Sequence, residues 1–317
     1  MTVHVISVGV SLRDSLAEPH KSLAAASALL LAIRAGKPLL VMDGKQVDDA
    51  EEASRWLAGA LTAEGHPGRD AASAARLAEV SEQVKAGQWP ARLSAELDTF
   101  ARVMQGGARL GSGDIAVLIS SDTSGGLLSG LWNAVVLAGG KPDRVRYLAS
   151  AAESPAGLRG RVGLVRIAGL DAEDEEDFRT AMRGLGMLGR RLLDEGGIDP
   201  AEPFRFYLSG GFKAAIPYLI GLAEGLRSLP GNRPVNAYVL HEATTSAAIR
   251  LPLRYIAPEI VRQELGRWGG SAVRSSPPRD RFLDGYAYEP YADGWRMTAF
   301  GDGLCELFGF DVAGLSP

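Results

Sequence analysis

The stretch VHVISVGVSL, residues 3–12, is apolar at most positions and rich in β-branched side chains. Neither of its two faces is polar throughout, so it predicts a strand buried on both sides, as in a parallel sheet covered by helices. It ends in Gly9 and Ser11, where the apolar run gives way to small and polar residues. A buried parallel strand cannot stand alone, because parallel partners require crossover connections, usually helical. The rest of the chain has to supply them.

It does so in alternation. SLAAASALLLAIRAG reads as a helix closed by Gly36, and PLLVM as a second strand or its remnant. Residues 48–66 and 70–87 read as amphipathic helices, and ARLSAELDTFARVM as another. DIAVLISSDTSGGLLSGLWNAVVLAGG reads as strand, polar loop and helix; DRVRYLAS and VGLVRIAGL are further strands. DAEDEEDFRTAMRGLGMLGRRLLDEGG is a helix whose acidic start suits its dipole, with Asp171 as the expected cap. FRFYLSGGFKAAIPYL is a short aromatic strand, a glycine turn and an apolar helix, and VNAYVLHEATTS follows. Strands alternating with helices predict an α/β fold, a Rossmann-like doubly wound and mostly parallel sheet. The expected division is residues 1–250 for this domain and 251–317 for a small C-terminal, winged-helix-like appendage. Within the appendage, GYAYEPYADGWRMTAF predicts a hairpin over 286–300 turning at Asp293-Gly294. Tyr286, Trp295 and Phe300 are expected to pack it against the larger domain of its own chain or of a partner copy.

Composition narrows the function classes. The chain has 317 residues, 46% hydrophobic and 23% charged, enough for a core without covalent staples. The single cysteine, Cys305, excludes an internal disulfide and a multi-cysteine zinc site, and fits a reducing cytoplasm. A net charge of −4 argues against coating long nucleic acid but leaves room for a small anion held by local groups. The start MTVHVISVGV lacks the basic and apolar segments of a signal peptide. The longest apolar stretch is broken by Arg34 and is too short to cross a bilayer.

In doubly wound sheets, ligands sit beyond the carboxyl ends of the strands. Three such ends carry small polar loops here: Ser11 with Arg13, SSDTSGG at 120–126, and SGGFK at 209–213; a fourth carries His241 and Glu242. SGGFK has two readings. Glycines and a helix N-terminus with a lysine can hold a phosphate; equally, the glycines can make a turn beside a solvated lysine. Asp122 reads better as a helix cap than as a phosphate neighbour, and Ser11 also fits a plain turn hydroxyl. There is no GxxxxGK[ST] loop, no GxGxxG after the first strand and no complete nucleophile elbow. His4, His20, His66 and His241 show no metal-ligand spacing, so neither a metal nor a cofactor is expected.

The order ISVGVSL, LSAEL at 93–97, LISSDTSGG, SGGFKAAIPYL and YVLHE resembles the CRISPR-associated Rossmann-fold (CARF) proteins, over roughly residues 1–250. The family motif Asn-x-Thr-Gly-Gly-Phe/Tyr-Lys appears with Tyr207 for the asparagine and Ser209 for the threonine. The resemblance implies a homodimer that binds cyclic oligoadenylate, tetra- or hexa-adenylate, across its two-fold axis in type III CRISPR antiviral defence. It implies contacts from Gly9, Val10, Arg13, Ser120, Ser121, Asp122, Thr123, Ser209, Gly210, Gly211 and Phe212. The HEPN Arg-x4-His motif of the effector nucleases is missing, as are other effector modules. The chain thus resembles the ring nucleases, with Ser11 and Lys213 as the expected catalytic residues of a metal-independent cleavage. The alternative is a non-catalytic sensor that acts on a partner or DNA through its appendage.

Overall fold

The structure is a computed structural model that describes residues 1–9, 41–42, 45–46, 49–62, 67–85, 94–171, 174–211, 213–231, 233–240, 247–266, 268 and 273–310. Its strands are β1 (Val3–Val8), β2 (Val41–Met42), β3 (Lys45–Gln46), β4 (Ile115–Ser120), β5 (Val145–Leu148), β6 (Val162–Arg166), β7 (Phe204–Tyr207), β8 (Val235–Val239), β9 (Ile249–Leu251), β10 (Val273–Arg274), β11 (Tyr288–Tyr291) and β12 (Gly294–Met297). The helices are α1 (Ala50–Leu61), α2 (Ala71–Lys85), α3 (Ala95–Met104), α4 (Ser124–Leu137), α5 (Glu175–Glu195), α6 (Ile216–Ser228), α7 (Pro258–Leu265) and α8 (Ala299–Phe308).

The main sheet has the order β5-β6-β4-β1-β7-β8-β9. All neighbours are parallel except β8 and β9, which pair antiparallel. Strand β1 lies at the centre, and all six of its residues are buried. Its side chains alternate between two cores. Ile6 and Val8 pack with residues of α1, α2, α3 and α4; Val3 and Val5 pack with residues of α5, α6 and α8. Helices therefore cover both faces, which is the reason β1 needs no polar face. The residues of PLLVM that are described, Val41 and Met42, pair with β3 and not with the main sheet.

Helix starts show where side chains satisfy the free backbone donors. The cap of α5 is Asp174, not Asp171: its carboxylate accepts from Glu176 and Asp177 N–H at 2.9 Å. Helix α4 is buried nearly all round, consistent with its lack of a polar face.

The chain after residue 250 is built into the domain. Strand β9 completes the main sheet, and α8 packs on α5 and α6, where the backbones come close. A Cβ on Gly186 would meet the Gly303 carbonyl oxygen at 2.1 Å, and one on Gly221 would meet the Phe300 ring at 2.2 Å. Phe300 lies edge-on to Tyr286, with ring centroids 4.3 Å apart, and also faces Tyr218 of α6 at 6.1 Å. Trp295 packs instead on Tyr288, inside a smaller core formed by α7, the β10-β12-β11 sheet and α8. The expected hairpin is present, shifted by one residue. Tyr291 pairs with Gly294, so Ala292 and Asp293 form the turn, with Ala292 at φ +47°.

Buried carboxylates fasten this region. Glu224 of α6 accepts from Arg254 N–H at 3.0 Å, Arg254 Nη2 at 2.9 Å and Tyr286 O–H at 2.8 Å. Burial alone would raise the Glu224 carboxyl, but the Arg254 and Tyr286 donors outweigh it and hold it below its usual range. Glu264 accepts from Phe282 N–H, Leu283 N–H and Tyr288 O–H. Among the described residues, no helix is long and apolar enough to cross a membrane.

His4 sets a pH limit on this core. It is fully buried on β1, its Nδ1 is 2.8 Å from the Tyr207 hydroxyl, and its Nε2 is 3.6 Å from Asp114, too far for a hydrogen bond. Burial lowers its pKa to about 4 against the opposing pull of Asp114. The folded chain therefore holds His4 neutral where the unfolded chain would protonate it. The stability this provides is full above pH 6.5 and is lost as pH falls towards 4, on the order of 3 kcal/mol in all. Urea unfolding should show the gap between wild type and His4→Gln narrowing across that window; a constant gap would exclude this role. The packing of α8 makes a second prediction. A chain ending at Leu251 should unfold at lower temperature than the full chain and bind an apolar dye, because it leaves Leu185, Leu222 and Leu226 uncovered.

Candidate functional site

The sheet reverses direction of growth at β1. The chain adds β4, β6 and β5 on one side and then β7 and β8 on the other. A crevice opens at such a switch point, beyond the carboxyl ends of the strands. Register brings three predicted loops there: Val8 pairs with Ser120, and Ile6 with Tyr207, so Gly9, Ser121 and Ser209-Gly210-Gly211 surround one end of β1.

The β1 and β7 loops touch backbone to backbone. A Cβ on Gly9 would meet Gly211 N at 2.4 Å, and Gly211 itself has φ +98°, a conformation that L side chains rarely adopt. Ser7 Oγ donates to the Gly210 carbonyl at 2.6 Å and lies 3.1 Å from the Tyr207 carbonyl. Between the loops sits Glu96, on the first turn of α3. One of its oxygens accepts from Gly9 N–H at 2.8 Å, and the other accepts from Ser94 O–H at 2.5 Å. Ser94 also caps α3, accepting from Leu97 N–H. A Cβ on Gly210 would fall 2.0 Å from Glu96 Oε1, so a glycine there is needed for the carboxylate to fit. Glu96 is 1% exposed. The residue lies within the LSAEL motif at 93–97, which does not by itself mark it. Nothing local marks it, because its partner Gly9 lies 87 positions away.

The predicted residues fare differently. Ser209 is drawn into the scaffold: its Oγ accepts from Leu240 N–H at 2.8 Å and lies 2.7 Å from the Thr99 hydroxyl. Tyr207 is buried against His4 and Phe100, and its burial pushes the phenol up. Thr123, not Asp122, caps α4, accepting from Gly126 N–H at 3.0 Å, with Ser121 Oγ 3.0 Å away. Asp122 is instead held by Arg166 of β6 at 2.5 Å, and the same guanidinium reaches Glu51 of α1. The hydrogen bond to Glu51, then that to Asp122, raises Arg166 above its ordinary value despite burial. Ser120 is buried and directs its hydroxyl to the Ser121 carbonyl.

Lys213 begins a 3-10 turn, Lys213–Ala215, that leads into α6, and its side chain is exposed. Among the described residues it makes no ion pair or side-chain hydrogen bond. Pro217 stands in the first turn of α6, and no side chain caps that helix. Val10, Ser11, Arg13, Phe212, His241 and Glu242 lie outside the described residues. Among the described residues there is no group of three or more His, Cys, Asp or Glu that could hold a metal ion. Among the described residues the arrangement offers a closely packed backbone lip, hydroxyls at the β4 loop and the exposed Lys213, a set suited to an anion. Comparison with known protein families finds no family model that matches the chain, and comparison with the curated proteins finds no match.

If Glu96 clamps the two loops, Glu96→Ala leaves Gly9 N–H buried without an acceptor, at a cost of about 1–3 kcal/mol. Glu96→Gln keeps an acceptor and should retain most of the stability. Urea unfolding of both variants checks this; equal losses would exclude the clamp.

Proposed function

We propose that the protein binds cyclic oligoadenylate at the carboxyl end of β1 and cleaves it as a metal-independent ring nuclease of the CARF kind. The observation that supports this reading is the meeting of the Gly9, Ser121 and Ser209–Gly211 loops at the switch point, with Lys213, exposed and without an ion pair among the described residues, on the same loop system. In this reading a C2 homodimer places two such loop sets around one symmetric ring. The ribose 2′-oxygen attacks the adjacent phosphorus in line, the P–O5′ bond breaks, and the 5′-oxygen takes up the proton that the 2′-hydroxyl loses. The products are a 2′,3′-cyclic phosphate and a 5′-hydroxyl, with no net consumption of water. The protein has to hold that geometry and stabilise charge on the phosphorane. Lys213 does the second, and Ser11 positions the hydroxyl or the phosphate.

A sensor role is the second reading, and one observation favours it. Helix α6 starts beside Lys213 and carries Glu224, which grips Arg254 and Tyr286. A ligand that moves the start of α6 would pull on the region after residue 250.

Incubation with cyclic tetra- and hexa-adenylate, with and without EDTA, separates the readings. The nuclease reading expects linear products in both conditions. It also expects single-turnover cleavage by Lys213→Ala to fall roughly a hundred- to thousand-fold, with a smaller change in affinity. Ring recovered intact after excess protein would end the nuclease reading, and a monomer by light scattering would end the shared site.

A further inference from the structure

A second candidate site lies at the opposite end of the sheet. At the amino end of β8 and along β9 there is an open concavity of about 600 Å³, within the range of small-ligand sites. Three arginines line it from three elements: Arg227 from the last turn of α6, Arg233 from the connection into β8, and Arg250 from β9. Among the described residues, no carboxylate lines it. Arg227 donates one N–H to the Leu253 carbonyl; among the described residues, none of the three arginines has a carboxylate within ion-pair distance.

Arg233 is the decisive member. It is only 5% exposed, its Nε has no hydrogen-bond partner, and its guanidinium carbon sits 5.2 Å from the centre of the Phe204 ring. A buried guanidinium without a counterion is costly. Asp199 and Glu202 act on it only at longer range, and Glu202 is engaged by Arg159. An anion entering the concavity would supply what Arg233 lacks, and Arg227 and Arg250 are placed to share it. Guanidinium forks match phosphate oxygens bidentately. At the rim, Tyr255 is 60% exposed and offers a ring face on which a base can stack.

We infer that the Arg227, Arg233 and Arg250 concavity binds a phosphate-bearing ligand of mononucleotide size, with the phosphate on the arginines and the base against Tyr255. The site shares no residue with the crevice at the carboxyl end of β1, so it stands whether or not that crevice acts on cyclic oligoadenylate.

The test is calorimetric titration of the full chain with AMP and, separately, with inorganic pyrophosphate. Both should bind, and Arg250→Gln and Arg227→Gln should each weaken both about ten-fold or more, since a charge-assisted hydrogen bond contributes about 1.5–3 kcal/mol. These side chains are exposed, so the variants should fold as the wild type does, checked by thermal unfolding. Tyr255→Ala should weaken AMP and leave pyrophosphate unchanged. Failure of both probes to bind at millimolar concentration overturns the proposal. So does binding that the arginine variants leave intact, or affinity confined to long single-stranded oligonucleotides.

Discussion

The contact between Gly9 and Gly211 governs the candidate site. Two backbone segments approach so closely that Gly9 could not carry a side chain, Gly211 is held to glycine by its φ of +98°, and a buried carboxylate closes the gap beside them. Position follows from this arrangement: Ser7 fixes the Gly210 carbonyl, Glu96 fixes the Gly9 amide, and Ser94 fixes Glu96. The lip of the crevice is therefore rigid. What can move is Lys213, whose long side chain is exposed in the turn that leads into α6, a helix that no side chain caps. A rigid lip beside a mobile cation is what an anion site needs if binding is to cost little reorganisation.

The two ends of the sheet handle charge in different ways. At the carboxyl end, Arg166 matches two carboxylates, Asp122 and Glu51. At the amino end of β8, three arginines gather with no carboxylate within ion-pair distance among the described residues, and one of them is buried. A net charge of −4 conceals this asymmetry, because overall charge says nothing about where like charges cluster.

The fold was largely legible in the sequence because burial on both faces leaves a plain mark. VHVISV and IAVLIS read as buried strands, and they are the central pair. That the β1, β4 and β7 loops lie together was legible because parallel neighbours bring their carboxyl ends to one edge, whereas their glycines and hydroxyls also serve turns, caps and scaffold contacts. The functions of individual side chains were less so. Asp122 looked like a cap, yet Thr123 holds the free amide, and only the arrival of Arg166 from a distant strand decides between them. Asp171 lost its capping role to Asp174 because several acids in a row compete and backbone geometry chooses one. Glu96 was missed because a buried carboxylate on an otherwise ordinary amphipathic helix has no local signature. The Asp293-Gly294 turn slipped by one residue, since the register is set by pairing along β11 and β12 and not by the favoured dipeptide.

Helix α8 closes one face of the sheet by lying against glycines of α5 and α6, yet it belongs to the last part of the described chain. Strands β1, β4 and β7 will have left the ribosome long before it does. Until residue 308 has been synthesised, Leu185, Leu222 and their neighbours have no cover, and the nascent domain shows an apolar stripe to its surroundings. Assembly of this protein during translation thus has a built-in waiting period, and a pause or premature stop before α8 would release a chain primed to stick to others.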